Sequence, residues 1–218
     1  MTRLVEIPAE FLAGIADDSD RIPRLYYAGN WLLRRMFWQR LHSLNHLMHR
    51  VHGRDGTCLD FGGGSGVFLP TLAQRFTHVT LLDLEARQAR QVAEQYRLSN
   101  VTVVENDATI IDFVERPFDV AVAADVLEHF QDLEMPVARL HRWLKPGGVL
   151  FTSLPTENWV YVFLRKVFGV EKPLDHYHTG YEVEDRLTHS GFRRIKTTCV
   201  PLRVPVAPLF LISAWRRE

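Results

Sequence analysis

Residues 58–68 read CLDFGGGSGVF, a short apolar run followed by four glycines in five positions, Gly62, Gly63, Gly64 and Gly66. Glycine surrenders more conformational freedom on folding than any other residue, so such a cluster persists only where the backbone must turn sharply or something must approach it closely. Here the run before it has the length and β-branched neighbours of a strand, and the residues after it, Leu69, Leu72, Ala73 and Phe76, recur at helical spacing. The glycines therefore mark the point where a strand becomes a helix.

Outward from this turn the same alternation repeats. The runs TCLDF, HVTLLDL, VTVVEN, FDVAVAA and GVLFTSL read as strands, and Ala89, Val92, Ala93 and Tyr96 form another helical stripe between two of them. Near-continuous apolar strands separated by amphipathic helices imply βαβ units, hence an α/β fold with a Rossmann-like open, mostly parallel sheet and helices on both faces. LKPGG at residues 144–148 reads as a helix stop and tight turn into the fifth strand. The last quarter breaks the rhythm, because FRRIKTTCV and LFLISAWRR are joined by a short Pro-rich link that is too short for a parallel crossover. The sheet is therefore expected to have seven strands and to close in a C-terminal antiparallel hairpin.

What the glycine turn can hold is narrowed by what it lacks. A phosphate-binding P-loop needs a Gly-Lys-Ser/Thr ending, which is absent. A dinucleotide fingerprint needs a third glycine where this chain has Val67 or Leu69, depending on where the count starts. What the chain does have is Asp60-x-Gly62-x-Gly64-x-Gly66, and with it the sequence resembles the class I S-adenosylmethionine-dependent methyltransferases, specifically their small-molecule or lipid-type branch. The resemblance runs from about Cys58 to the C-terminus.

The resemblance implies S-adenosyl-L-methionine as cofactor and S-adenosyl-L-homocysteine as product. It assigns Asp60 and the four glycines to the first cofactor motif, and Asp83, with Leu84 beside it, to the ribose hydroxyls. Asp107 and Ala108 fall to the adenine, and Ala124 and Asp125 to the pocket under the methionine portion. Tyr26 and Tyr27, ahead of the first long helix, are candidates to close over the cofactor.

Methyl transfer is an in-line displacement in which positioning does most of the work, and a base helps when the acceptor is a hydroxyl. The candidates for that base are His178 and His176 in DHYHTGY, followed by His129 in VLEHF. The insert at about 155–181 carries Trp159, Tyr161, Phe163, Phe168 and Tyr177, which suits an apolar acceptor as well as a buried stripe. His42, His46 and His49 share one helical face, yet no fourth ligand is identifiable, so no metal is expected.

Two further features bound the function. Net formal charge is zero, which argues against a nucleic-acid-binding surface; DNA is not expected as a partner, and RNA is disfavoured. From Arg21 to Arg54, however, the chain has seven Arg, four His and no acid, on a helix whose Leu33, Phe37, Leu41, Leu44, Met48 and Val51 face one way and whose Arg35 faces the other. This divides the chain into an N-terminal helical extension or lid, residues 1–54, and a methyltransferase domain, residues 55–218, and leaves room for peripheral contact with an anionic membrane. Two cysteines and no signal pattern suggest a cytoplasmic setting. The expected activity is methylation of a small acceptor at oxygen or carbon, set against a non-catalytic cofactor-binding protein or a methyltransferase acting on RNA or protein.

Overall fold

The computed structural model describes residues 3–16, 22–27, 31–53, 55–113, 117–167, 176–201 and 208–218. Arg21, Arg54, Phe168 and Pro205, and the side chain of Leu33, lie outside that set. Seven strands form one sheet: β1 (Thr57–Phe61), β2 (His78–Asp83), β3 (Val101–Glu105), β4 (Phe118–Ala124), β5 (Leu144–Pro155), β6 (Phe192–Val200) and β7 (Phe210–Arg217), in the order β3-β2-β1-β4-β5-β7-β6. The first five pair in parallel, and β7 runs antiparallel to both β5 and β6. Both the parallel sheet and the closing hairpin expected from the strand spacing are present. β5 begins earlier than the turn signal suggests, since LKPGG is part of the strand, with Gly147 at φ +76° and a register shift where β4 starts.

Side-chain alternation along the strands feeds two cores. Cys58, Val79, Leu81, Val120, Val122, Phe151 and Ile212 face the helices α2 (Trp31–Val51), α3 (Leu69–Ala73) and α4 (Arg87–Gln95). Their neighbours Leu59, Leu82, Ala121, Ala123, Leu150 and Trp215 face α5 (Glu134–Trp143) and α7 (Gly180–His189). Alternation of this kind is why a strand buried on both faces reads as a continuous apolar run.

The short α1 (Ala9–Ile15) and the segment before it also join the first core, through Leu4, Ile7 and Leu12. α2 lies across β5, β7 and β6, with Trp38, Leu41, Leu44, Leu47 and Met48 buried. Its C-terminal end is fixed by the buried Arg75, whose Nη2 lies 2.6, 2.6 and 2.9 Å from the carbonyl oxygens of Met48, His52 and Gly53. The expected outward basic face is only partly so. His42 is exposed and pairs with Glu6 at 2.5 Å, while His46 and His49 are half-buried. No helix among the described residues is long and apolar enough to cross a membrane, and Cys58 and Cys199 are free and buried.

Candidate functional site

The strand order reverses between β1 and β4, and in open α/β sheets the crevice at such a point, outside the carboxyl ends of the strands, receives the ligand. The glycine turn leaves β1 there. Gly62, Gly64 and Gly66 have φ of +64°, +52° and +74°, the left-handed region that side chains resist. Their surroundings differ. A Cβ on Gly62 would lie 2.1 Å from Val126 Cγ2, and one on Gly66 would press on Leu69 and Ala89, so both glycines serve close packing within the protein. A Cβ on Gly64 would meet nothing within 4 Å. Gly64 is thus the point where the bare backbone opens onto the crevice.

Asp83, ending β2, reaches across to this turn. Its Oδ2 accepts from the Gly64 N–H at 2.8 Å and its Oδ1 from the Glu85 N–H at 3.1 Å. Leu84 next to it is exposed, as is Ile110 beyond β3. Asp107 holds its own turn, accepting from Thr109 N–H at 2.7 Å, with Ala108 nearly buried behind it. Asp60 is 3% exposed and its Oδ2 has no hydrogen-bond partner. Burial, with the negative charge of Asp83 adding to it, pushes its pKa up to about 7.

At the end of β4, Ala124 is half-buried and Asp125 takes φ +52°. Ser153 donates to Asp125 Oδ1 at 3.1 Å, and Arg40 from α2 forms an ion pair with Oδ2. The Arg40 guanidinium is buried, donates to the Tyr26 hydroxyl at 2.7 Å and stacks 3.8 Å from the Phe37 ring centroid. Tyr26 is consequently a core residue wedged edge-on against Phe37 and Trp38, while Tyr27 is half-buried. The sequence reading missed Arg40, although a signal was there: it stands three residues after Phe37 and four before Leu44, on the apolar face of its helix.

A second cluster adjoins the first. The short helical turn Leu127–His129 follows β4, and the Glu128 carbonyl accepts from the Tyr177 and His178 N–H groups at 2.9 and 3.4 Å, which draws the far end of the insert over it. His129 and His176 then lie ring to ring, 4.6 Å between centroids and nearly perpendicular. His176 Nδ1 is 3.2 Å from Glu157 Oε1, both side chains being more than nine-tenths buried. Glu157 sits at φ +51°, a strained setting for a side-chain-bearing residue.

His178 instead turns its Nε2 to the Gln131 carbonyl at 3.2 Å. Of the three histidines singled out from sequence, two meet and the third faces a loop. Neither Glu128 nor Glu157 was foreseen. Glu128, His129 and His176 each offer one ligand atom, all within 4.8 Å of one another, a set able to hold a divalent ion, whereas His42, His46 and His49 form no such group.

The glycine turn, with Asp83 beside it, and the half-buried histidine pair that follows β4 thus stand at the carboxyl ends of the strands where the sheet order reverses. The chain matches the family model described as "Methyltransferase domain" over residues 32–203 and belongs to that family.

Among individual relatives, it is 34% identical over 154 residues to the ubiquinone biosynthesis O-methyltransferase of Pseudomonas paraeruginosa, covering 66% of this chain and 65% of that one. It is 32% identical over 101 residues to the 2-methyl-6-phytyl-1,4-hydroquinone methyltransferase 2 of Oryza sativa subsp. japonica, covering 45% and 29%. The chain therefore spans just under two thirds of the length of the first of these relatives. Its fold is similar to that of N-methyltransferase NodS of Bradyrhizobium japonicum in complex with S-adenosyl-L-homocysteine, with TM-score 0.67, 19% identity, and 96% and 98% coverage. Magnesium protoporphyrin IX methyltransferase of Synechocystis gives TM-score 0.70, 20% identity, and 91% and 94% coverage.

Proposed function

We propose that the protein transfers a methyl group from S-adenosyl-L-methionine to a hydroxyl of a small, apolar acceptor. The single observation that carries this reading is the adjacency of two sites: the crevice over Gly64 and Asp83, and the His176–Glu157 dyad set against His129 beyond the end of β4.

The residues present suit the cofactor. The open space above Gly64 admits a ligand against bare backbone, and the half-exposed Asp83 carboxylate is placed to accept from a diol. The exposed Leu84 and Ile110 offer apolar surface to a flat base beside Asp107 and Ala108. Arg40 and Asp125 present one positive and one negative group together, the complement of an amino-acid zwitterion. The cofactor supplies an electrophilic methyl carbon on a sulfonium.

The protein's own task is to orient the acceptor and to take its proton. An ionised carboxylate can only accept, so Glu157 fixes the Nδ1 proton of His176 and leaves Nε2 with its lone pair free for an incoming hydroxyl. This favours oxygen as the methylated atom. Trp159 and Phe163, one turn apart on α6 (Trp159–Val167), are largely exposed and supply apolar contact for the acceptor body. By their names, one relative is an O-methyltransferase of ubiquinone biosynthesis and another a methyltransferase of a phytyl hydroquinone, which supports the reading.

Calorimetry with S-adenosyl-L-homocysteine, followed by transfer of labelled methyl to a panel of prenylated and simple phenols, tests the reading. Binding together with transfer to a phenol oxygen is expected. Binding without transfer to any acceptor would leave a cofactor-binding protein, and no binding would remove the reading altogether. A divalent ion on Glu128, His129 and His176 would compete for the same histidine, so transfer that vanishes on chelation and returns with metal would replace the base by a metal. For the membrane, Trp31, Leu32 and Arg35 are exposed at the start of α2, and flotation with anionic vesicles measures whether that end docks. Two free thiols fit a reducing, cytoplasmic setting.

A further inference from the structure

Asp83 is placed to accept from a diol, and Arg40 with Asp125 matches the two charges of an amino-acid head. One charge of S-adenosyl-L-methionine, the sulfonium, is left without an opposite by these groups. One acid of the same region, Asp60, is left without a task.

Asp60 stands next to last in β1, directly under the glycine turn, where its Oδ2 would lie 2.7 Å from a Cβ built on Gly63. It is 3% exposed, and its Oδ2 accepts no hydrogen bond among the described residues. Three titratable groups act on it: Asp83 from β2, which is negative, and Cys58 on its own strand and Tyr26 ahead of α2, both of which burial keeps neutral. Arg40, the cation above Tyr26, is committed to Asp125 and to the Tyr26 hydroxyl. A carboxylate so placed is costly while ionised, so below about pH 7 the ligand-free protein holds it as the neutral acid. A cation entering the crevice reverses that balance, because opposite charges attract far more strongly through a low-dielectric interior than through water.

We propose that Asp60 is the counter-charge of the sulfonium: it releases its proton to solvent when S-adenosyl-L-methionine binds and regains one once the methyl has left, so that the protein tells cofactor from product by charge. The inference rests on the methyl-donor reading of the crevice. Its protons balance over a turnover, one leaving as the cation arrives and one returning when the sulfur has become a neutral thioether. The proton that His176 takes from the acceptor hydroxyl is a separate one.

Calorimetry near pH 6 in two buffers of different ionisation enthalpy counts the protons released on binding. About one is expected for S-adenosyl-L-methionine and well under half of that for S-adenosyl-L-homocysteine. Affinity for S-adenosyl-L-methionine should fall about tenfold for each pH unit below 7, and affinity for S-adenosyl-L-homocysteine less steeply. Asp60→Asn keeps the shape and cannot ionise, so it should abolish the proton release and bring the two pH profiles together; pH effects of other groups are common to both proteins and cancel. Should the variant fail to fold, the proton count on the wild-type protein decides alone. Equal proton release with both ligands, parallel pH profiles in the wild-type protein, or a variant that keeps the difference would overturn the proposal while the methyl-donor reading stands. Failure of both ligands to bind would remove that reading and this inference with it.

Discussion

Arg40 and Asp125 form an ion pair between a helix that precedes the sheet and the end of its fourth strand. Both are largely buried, and the partner of each is a charge the other would leave stranded. Breaking such a pair from one side costs about 3 kcal/mol or more, because the remaining charge stays buried without compensation. Arg40→Met should therefore lower stability by roughly that amount in urea unfolding. It should also weaken S-adenosyl-L-homocysteine binding, and Arg40→Met combined with Asp125→Leu should regain stability without regaining affinity.

The glycines separate packing from ligand contact. Gly64→Ala incurs the left-handed cost of about 1–2 kcal/mol and no collision, so the protein should stay folded and lose cofactor affinity as the methyl enters the crevice. Gly62→Ala meets Val126, and overpacking adds about 1–3 kcal/mol to the same backbone cost. Thermal melts and calorimetry on the two variants should rank them in opposite orders for stability and for binding.

Asp60 gives the ligand-free protein a pH signature. Its folded pKa, about 7, lies above the unfolded carboxyl value, so the native state holds a proton that the unfolded chain has released. This contribution is complete in acid and is lost as pH rises from about 4 to 7. Asp60→Asn cannot titrate, so the stability difference between variant and wild type should grow in the variant's favour across that window and level off above it. Urea midpoints at half-unit pH steps measure it, and parallel curves for the two proteins would refute the assignment.

Catalysis and binding should come apart at the dyad. His176→Ala is expected to lower kcat by about 100-fold or more while leaving S-adenosyl-L-homocysteine affinity near wild type. Glu157→Gln should lower kcat less, since it loosens the orientation of the base without removing it. His178→Ala, whose ring turns to the Gln131 carbonyl, should leave kcat almost untouched.

The acceptor's apolar body should be felt at α6. Trp159→Ser and Phe163→Ser remove exposed rings, so stability should hold within about 0.5 kcal/mol. KM should rise for acceptors with long apolar tails and stay level for short ones, with initial rates over a chain-length series as the readout.

The fold and the crevice were legible because their signals are local. Strand and helix periods, the glycine turn and the short Pro-rich link before β7 each act within a dozen residues, and each constrains topology on its own. Asp83 was named through the family resemblance, and in the structure it ends β2 and accepts from the Gly64 N–H of that turn. The second cluster was not legible, because Glu128, His129, Glu157 and His176 meet only once the insert folds back over the turn after β4, an approach that no spacing encodes. Arg40 was hidden for the opposite reason: it lies within a plain helical stripe, and an arginine among leucines gains its meaning only from the carboxylate on a distant strand.

The three carbonyls held by Arg75 have a practical bearing on how the protein can be shortened. They weld the end of α2 to the β1–β2 connection, and the same helix roofs a broad band of valine, phenylalanine and isoleucine on β5 and β7. A gene trimmed to begin at Thr57 would strip that roof and leave bare greasy strands to clump in the test tube. Anyone seeking a minimal catalyst should keep the chain from Leu4 onward, because Leu4, Ile7, Leu12 and Tyr26 are buried in the same core.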